Sequence, residues 1–256
     1  MKIGIVGLGL IGGSIFKTLE ALNNPKYEIV GVSSSVKLKN VSKDYEILKT
    51  ADIVFVCTPM NVTLKVLDTL EKYLNQSTIV ADTCSLKTFV SQKKYKFKFV
   101  PTHPMAGTEK SGWENSFNGL FKNAKWVITP LEGILSSEVE AIEAIIKDMC
   151  AEIVFTTPEE HDEAVGLISH APLLIAQAMC ESIKDNKLAQ ILASSGFRDT
   201  TRLALSNSEL ANDMVNLNKQ NIIKAFNKYK DCVENLLNSN VYYQEAKRIK
   251  SFRDNL

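Results

Sequence analysis

A short strand that runs directly into a glycine-rich turn constrains this chain more than any other feature. KIGIV is apolar and largely β-branched, GLGLIGGS follows at once, and IFKTLEALNN has helical apolar spacing. Gly7, Gly9 and Gly12 fill the G-x-G-x-x-G positions, which permit a tight turn, backbone approach to a pyrophosphate and packing of helix on strand. The pattern predicts a dinucleotide-binding loop at a helix N-terminus. The residues expected to contact the cofactor there are Gly7, Leu8, Gly9, Leu10, Ile11 and Gly12.

Strand and helix signals then alternate through the first half of the chain. Further strands are predicted at 27–32, 51–59, 77–82, 95–100, 124–130 and 151–157. Ser137 and Glu140 have the spacing of a capping box, which predicts a helix between the last two strands. Alternating strands and helices predict an α/β fold, with a Rossmann-like, doubly wound parallel sheet over residues 1–157.

The remaining residues, 158–256, show only helical periodicity and predict an all-helical C-terminal domain. Thr157 as N-cap, Pro158 at the first helical position and Glu160 two positions later all mark a helix start. Pro172 lies inside that helix and cannot bond the carbonyl of Ile168, so a bend is predicted beside His170. Because so thin a set of apolar helices cannot enclose a core, we expect a homodimer formed through the C-terminal helices.

Composition excludes several classes of function. The formal net charge is +1, and no basic stripe with interleaved aromatic residues suggests a nucleic-acid or membrane partner. The five cysteines form no C-x-x-C pair and have no histidine partners at zinc spacing, so neither a metal site nor a disulfide framework is predicted. Reduced, mostly packed thiols are typical of a cytoplasmic protein.

The segment after the second strand bears on which dinucleotide is bound. An acidic residue there would bind both ribose hydroxyls and favour NAD, whereas this chain has Ser33 and Ser34. Serine hydroxyls, with Lys37 or Lys39, could bind a 2′-phosphate, which favours NADP; if both lysines are merely solvated, NAD remains the alternative. The cofactor is therefore predicted to be NAD or NADP.

Other polar groups follow neighbouring strands, where ligands of doubly wound sheets bind. Thr58 and Pro59 follow one strand and Ser85 another, although Ser85 could instead cap a helix. His103 lies between Pro101 and Pro104, and the following proline holds its backbone extended. The sequence therefore predicts that an oriented imidazole stands over the cofactor crevice.

Two arginines in GFRDTTR supply a candidate anion site. Arg198 and Arg202 would lie four residues apart on a helix, where like charges repel without a compensating anion. A substrate carboxylate could provide that anion through a planar, bidentate contact. Alternatively, Asp199 pairs with Arg202 and the contact is only structural.

Taken together, the motifs resemble one family. GLGLIGGS, CTP, DTCSLK, HPMAGTEKSG, EEHDEAVGLISHAP and ASSGFRDTTR, in this order over about residues 1–235, are similar to the prephenate/arogenate dehydrogenases of tyrosine biosynthesis. The resemblance implies oxidative decarboxylation of prephenate to 4-hydroxyphenylpyruvate, with hydride transfer to a nicotinamide dinucleotide. It also implies roles for particular residues: His103 and Ser85 as catalytic residues, and Arg202, His170, Glu109 and, less directly, Arg198 as substrate-binding residues.

Several alternatives stay open at this point. Ala211 stands where many prephenate-type members have tryptophan, and the arginine motif is closer to arogenate-type members, so an arogenate or dual-specificity cyclohexadienyl dehydrogenase is the first alternative. A β-hydroxyacid dehydrogenase would need a lysine on the long helix, where this chain has His170. A dinucleotide-binding protein without catalysis is the remaining alternative. His161, on the predicted start of the same helix, is expected to be structural.

Overall fold

The computed structural model describes residues 1–108 and 110–256, and its main sheet has the expected architecture. Six parallel strands lie in the order β3-β2-β1-β4-β5-β6, which is the order of a doubly wound dinucleotide-binding fold. Their bounds are β1 Lys2–Val6, β2 Glu28–Val32, β3 Val41–Ser42, β4 Ile53–Val56, β5 Ile79–Asp82 and β6 Lys98–Phe99. The predicted Rossmann-like fold is thus confirmed.

A second sheet of three strands holds the predicted histidine segment. It consists of β7 Thr102–Pro104, β8 Lys125–Ile128 and β9 Glu152–Phe155, with β7 antiparallel to β8 and β8 parallel to β9. The expectation of one parallel sheet was wrong here. Residues 95–100 form only the two-residue β6, because Pro101 lacks an N–H to continue a ladder and the chain leaves for the second sheet.

Helices flank the first sheet and make up the second half of the chain. Their bounds are α1 Leu10–Ala21, α2 Met60–Leu70, α3 Ser136–Asp148, α4 Pro158–Val165, α5 Ala171–Ser182, α6 Lys187–Leu192, α7 Ser195–Thr200, α8 Ser208–Leu217, α9 Lys219–Leu237 and α10 Tyr242–Asp254. The helix start expected at Thr157 is confirmed, with the Thr157 hydroxyl accepting from the Glu160 N–H. The expected N-cap at Ser137 is wrong: Leu135 is the N-cap, and Glu138 accepts from its N–H.

The apolar strands supply both faces of the sheet with core residues. Alternate residues of β4 enter different clusters, with Ile53 and Phe55 on one face and Val54 and Val56 on the other. This explains their continuous apolar run. The cluster on the Val54 face of the sheet also contains side chains of the helical half, among them Val165, Leu173 and Met214. The helical half is therefore packed directly against the sheet.

The bend expected at Pro172 takes the form of a π-helical turn over Gly166–His170, between α4 and α5. The N–H of Ala171 bonds the carbonyl of Gly166, five residues back, which is the mark of such a turn.

By length and composition alone the helical stretch Pro158–Ser182 would suffice to cross a membrane, but the core helix of a globular protein meets the same criterion. All five cysteines are free, yet Cys150, Cys180 and Cys232 are exposed, so the expectation of mostly packed thiols was wrong.

Candidate active site

The glycine turn between β1 and α1 has the shape that a dinucleotide needs. Gly7 has φ +87°, and a Cβ there would lie 2.8 Å from the carbonyl oxygen of Cys57. A Cβ on Gly12 would lie 2.0 Å from the carbonyl oxygen of Gly7, so only glycine lets the helix approach the strand. A Cβ on Gly9 would meet nothing within 4 Å. The turn therefore leaves open space in front of Gly9, where a pyrophosphate would lie against the backbone.

The first turn of α1 supplies the donors for such a group. Gly9 is its N-cap, and the N–H groups of Leu10, Ile11 and Gly12 have no preceding helical turn to donate to. Leu8 is buried and anchors the turn. The partial positive charge of the helix N-terminus faces the same space. Residues of the turn therefore fit a dinucleotide phosphate.

Two other predicted cofactor residues border this turn. The methyl group of Thr58 would lie 3.2 Å from a Cβ on Gly7, and the Thr58 hydroxyl lies 2.9 Å from that of Thr63 in α2. Pro59 is exposed and is the N-cap of α2. Both residues therefore lie at the carboxyl end of β4, beside the glycine turn.

The serines after β2 form a polar turn. The Ser33 hydroxyl oxygen accepts from the N–H groups of Ser35 and Val36, at 3.3 and 3.2 Å. Ser34, Lys37 and Lys39 are exposed. Within residues 1–108 and 110–256, neither lysine enters a salt bridge. This edge accordingly offers hydroxyl groups and two ammonium groups to the ribose end of a cofactor.

The predicted catalytic residues line a single cavity of about 230 Å³. Its walls are formed by Ser85, His103, Pro104, Met105, Ala106, Gly107, Val165, Ser169, His170 and Met214. Ser85 follows β5 and does not begin a helix, so the alternative that it is a helix cap is not supported. Ala106 and Ile11 of the glycine loop both pack against the same hydrophobic cluster.

His103 forms a hydrogen bond with a second histidine, His161. Its Nδ1 atom lies 2.9 Å from Nε2 of His161, and Nδ1 of His161 lies 2.8 Å from a carboxylate oxygen of Asp162. His161 and Asp162 are almost fully buried. Burial, followed by the nearby His161, Lys87 and His170, lowers the pKa of His103 well below its usual value. The His103 imidazole is therefore neutral at pH 7.

His170 is fixed by a different partner. Nδ2 of Asn218, at the start of α9, donates to Nδ1 of His170 at 3.0 Å and to the carbonyl oxygen of Asp162 at 2.8 Å. Burial is the main cause that lowers the pKa of His170 to about 4. Among the described residues, the Ile168 carbonyl oxygen is not a hydrogen-bond partner of this histidine.

A buried ion pair lies below the cavity. Nζ of Lys87 is 2.5 Å from a carboxylate oxygen of Asp82, both side chains are fully buried, and Nζ also donates to the carbonyl of Thr102. The other Asp82 oxygen accepts from the Thr102 N–H at 3.2 Å. This network joins the end of β5 to β7, next to His103. Burial raises the pKa of the neighbouring Cys84 thiol, so that group is no nucleophile.

The arginines lie outside this cavity. Arg198 is exposed in α7, and Arg202 is exposed at the start of a 3-10 turn, Arg202–Leu205. Neither pairs with Asp199 or with another carboxylate of the described residues, so the structural alternative of an Arg202–Asp199 pair is not supported. Leu203 packs against the cluster that contains the cavity residues Val165 and Met214, and its turn contacts α5, which begins directly after His170. Glu109 lies outside the described residues.

Sequence reasoning missed four residues of the site, and the signals for them differ. His161 and Asp162 are adjacent in the sequence and follow directly after the capping box. The chain has only three histidines, so a histidine next to an aspartate could have marked this pair as part of the site. Lys87 is marked only by its place two residues after Ser85. Asn218 shares no motif with its partners, because it lies 48 residues from His170.

Comparisons with known proteins identify a family. The sequence model described as "Prephenate dehydrogenase, nucleotide-binding domain" matches residues 26–155, and "Prephenate dehydrogenase, dimerization domain" matches residues 157–251. Prephenate dehydrogenase of Lactococcus lactis is 31% identical over 81% of this chain, and that of Bacillus subtilis is 30% identical over 88%. The chain spans 62% and 66% of the length of these relatives.

Solved structures give the same result. The crystal structure of Synechocystis arogenate dehydrogenase is 31% identical and superimposes with a TM-score of 0.86, covering 100% of this chain and 99% of that one. The relatives thus carry both substrate names.

Proposed function

The chain belongs to the prephenate dehydrogenase family, and we propose that it oxidatively decarboxylates prephenate to 4-hydroxyphenylpyruvate in tyrosine biosynthesis. The prediction of a nicotinamide dinucleotide cofactor, NAD or NADP, is confirmed at the level of the family's nucleotide-binding domain. The observation that carries the proposal is the meeting of His103, Ser85 and His170 in one cavity, with Ser85 following β5 of the sheet that carries the glycine turn. A cytoplasmic location and the domain boundary at residues 157 and 158 remain predictions.

We assign the first proton transfer to His103. Prephenate carries a hydroxyl group on ring carbon C4, and hydride leaves that carbon as the hydroxyl proton is removed. A neutral imidazole can accept this proton, and burial keeps His103 neutral. Ser85, which lines the same cavity, would hydrogen-bond the same hydroxyl group and orient it. The imidazole and the serine hydroxyl thus act on one oxygen.

The second half of the reaction returns the proton. Loss of CO2 from the oxidised ring gives a phenolate, and aromaticity supplies the driving force. The overall reaction releases CO2 and no net proton, so the proton taken up by His103 returns to the phenolate oxygen. His103 therefore needs to hold a proton only transiently.

The glycine turn and the residues beside it would hold the cofactor, which supplies the hydride acceptor when bound. Gly7, Gly9 and the first turn of α1 would contact the pyrophosphate, and Thr58 and Pro59 would border it. Ser33 and Ser34 would lie at the adenine ribose, with Lys37 and Lys39 available for a 2′-phosphate. These two exposed ammonium groups favour NADP over NAD.

Substrate carboxylates need positive charge, and we assign it to Arg202, with Arg198 contributing. Both guanidinium groups are exposed and unpaired among the described residues, and the turn of Arg202 contacts α5, which begins directly after the cavity residue His170. His170, neutral and in the cavity wall, would donate from Nε2. Glu109 is proposed to lie at the rim of the substrate site.

We propose that the helical half forms a homodimer. Apolar side chains of its helices are left strongly exposed in a single chain: Leu188, Ile191 and Leu192 in α6, Leu205 in the 3-10 turn, and Phe226 and Leu237 in α9. A large exposed apolar surface marks an interface. The family description of this region as a dimerization domain supports the same proposal.

Arogenate is the alternative substrate, supported by the similarity to the Synechocystis enzyme. Arogenate has an ammonium-bearing side chain where prephenate has a keto group. Ala211, at the position where the resemblance places a tryptophan, is buried in the cluster that also contains the cavity residue Met214. A spectrophotometric assay that crosses prephenate and arogenate with NAD and NADP tests the proposal. Reduction of neither coenzyme with either substrate would favour the non-catalytic alternative.

A further inference from the structure

His103, His161 and Asp162 form a continuous buried chain of hydrogen bonds that ends at the cavity. We propose that His161 and Asp162 are positioning residues that hold His103 as the tautomer with its proton on Nδ1 and its lone pair on Nε2. This inference rests on the proposed function, because it concerns how the same base is prepared for the substrate hydroxyl.

The argument starts from the carboxylate. Asp162 accepts from the N–H of Lys87 at 2.8 Å, from the N–H of Thr88 at 2.9 Å, from the Thr88 hydroxyl and from His161. Burial by itself would raise the pKa of Asp162, but these hydrogen bonds outweigh it and lower that pKa. Asp162 is therefore an anion that can only accept hydrogen bonds.

Because Asp162 only accepts, it determines which ring nitrogen carries the proton, first in His161 and then in His103. Because Asp162 accepts, Nδ1 of His161 must carry a proton, and in the proposed arrangement His161 keeps a lone pair on Nε2. Nε2 of His161 lies 2.9 Å from Nδ1 of His103, so His103 must donate from Nδ1. The lone pair of His103 is left on Nε2, which bonds no other described residue. The nitrogen available to the cavity is thus the basic one.

The same chain gives a proton held briefly on His103 a hydrogen-bonded route towards the Asp162 anion. When His103 takes a proton on Nε2, its positive charge is shared through Nδ1–H with His161, whose own N–H points to the Asp162 anion. The proton on Nδ1 of His103 can move to Nε2 of His161 and return, so no atom or charge is lost. This suits a base that holds its proton only until the phenolate forms.

The other groups around His103 do not replace this chain. The charged groups that face it from the end of β5 are the ammonium of Lys87 and its partner carboxylate, Asp82. From the π-helical turn comes His170, whose Nδ1 accepts from Asn218, so that its proton is on Nε2. The cavity therefore pairs an acceptor, Nε2 of His103, with a donor, Nε2–H of His170.

Nitrogen-15 NMR of the full-length protein tests the proposal without substrate. The chain has only three histidines, so their ring nitrogens can be assigned from single His→Gln variants. At neutral pH we expect Nδ1–H for His103 and His161 and Nε2–H for His170. Finding His103 as the Nε2–H tautomer would overturn the proposal, whether or not the protein turns over substrate.

Variants of the chain add a kinetic readout. His161→Phe keeps the ring but removes the acceptor, so His103 should become a mixture of tautomers, and kcat should fall by about 10- to 100-fold, part of what a positioned base contributes. Cofactor Kd should stay unchanged. Asp162→Asn should shift the tautomer in the same way, and Glu163→Gln, at the neighbouring exposed carboxylate, is the matched control.

The outcomes separate the two proposals. A fixed Nδ1–H tautomer in a protein without turnover would support the chain and refute the proposed function. A folded His161→Phe protein with unchanged tautomer and unchanged kcat would refute the chain while leaving the proposed function intact.

Discussion

Nδ1 of His103 lies 2.9 Å from Nε2 of His161, although 58 residues separate them in the chain. The contact joins the second sheet to the first helix of the C-terminal half. The His103 imidazole lines the cavity, and the buried pair His161 and Asp162 holds it by hydrogen bonds. The orientation of the His103 imidazole therefore depends on the packing of the helical half against the sheet.

Removing the imidazole tests the catalytic assignment. His103→Asn should lower kcat by about 10²- to 10⁴-fold, because the substrate hydroxyl loses its proton acceptor. The glycine turn is untouched, so cofactor Kd, measured by fluorescence titration, should not change. Near-normal turnover would exclude His103 as the base.

The acid limb of the pH profile follows from the same residue. The neutral form is active, so kcat/KM is lost as pH falls through the pKa of His103. Burial, aided by His161, Lys87 and His170, sets that pKa well below the usual histidine value of 6.5. We expect kcat/KM to stay level from neutral pH down past 6.5 and to fall only in more acid solution, as stopped assays with pH-stability controls would show. An acid limb centred at or above 6.5 would contradict this.

Alanine substitutions at two glycines of the turn should affect different properties, cofactor binding in one case and stability in the other. Gly9→Ala adds a methyl group into open space, so the fold should persist while cofactor Kd rises about 10-fold or more (~1.4 kcal/mol). Gly12→Ala forces a contact of 2.0 Å with the Gly7 carbonyl, and unfolding free energy should drop by about 3 kcal/mol or more. Calorimetric titration and urea unfolding measure the two effects. Equal losses of stability would show that the space before Gly9 is not open.

The buried ion pair should be a strong determinant of stability. Lys87→Met leaves the Asp82 carboxylate buried without its cation and should cost about 3–5 kcal/mol of unfolding free energy. The matched control is Lys93→Met, whose partner Asp68 is exposed, and it should change stability little. Urea unfolding of both variants gives the comparison; similar values for the two would refute the assignment.

Arg202 provides a test of substrate binding. Arg202→Ala should raise KM for the substrate and leave kcat and cofactor Kd nearly unchanged, because a carboxylate contact far from C4 contributes to binding in ground and transition states alike. Steady-state kinetics with the substrate that the crossed assay selects will measure it. Arg202→Lys should restore part of the loss, since it keeps the charge but not the bidentate geometry. An unchanged KM would remove Arg202 from the substrate site.

The sequence by itself determined the glycine turn, the alternation of strands and helices and the helix start at Thr157. These features depend on local backbone chemistry: glycine conformations, apolar periodicity and proline restrictions act within a few residues. Only the tertiary structure decided that Lys87 pairs with Asp82 in the core, that Asn218 orients His170, and that His161 and Asp162 support His103. Burial and hydrogen bonds between segments that are distant in the sequence set those relationships. Contacts of this kind leave no periodic pattern or fixed residue spacing in the sequence.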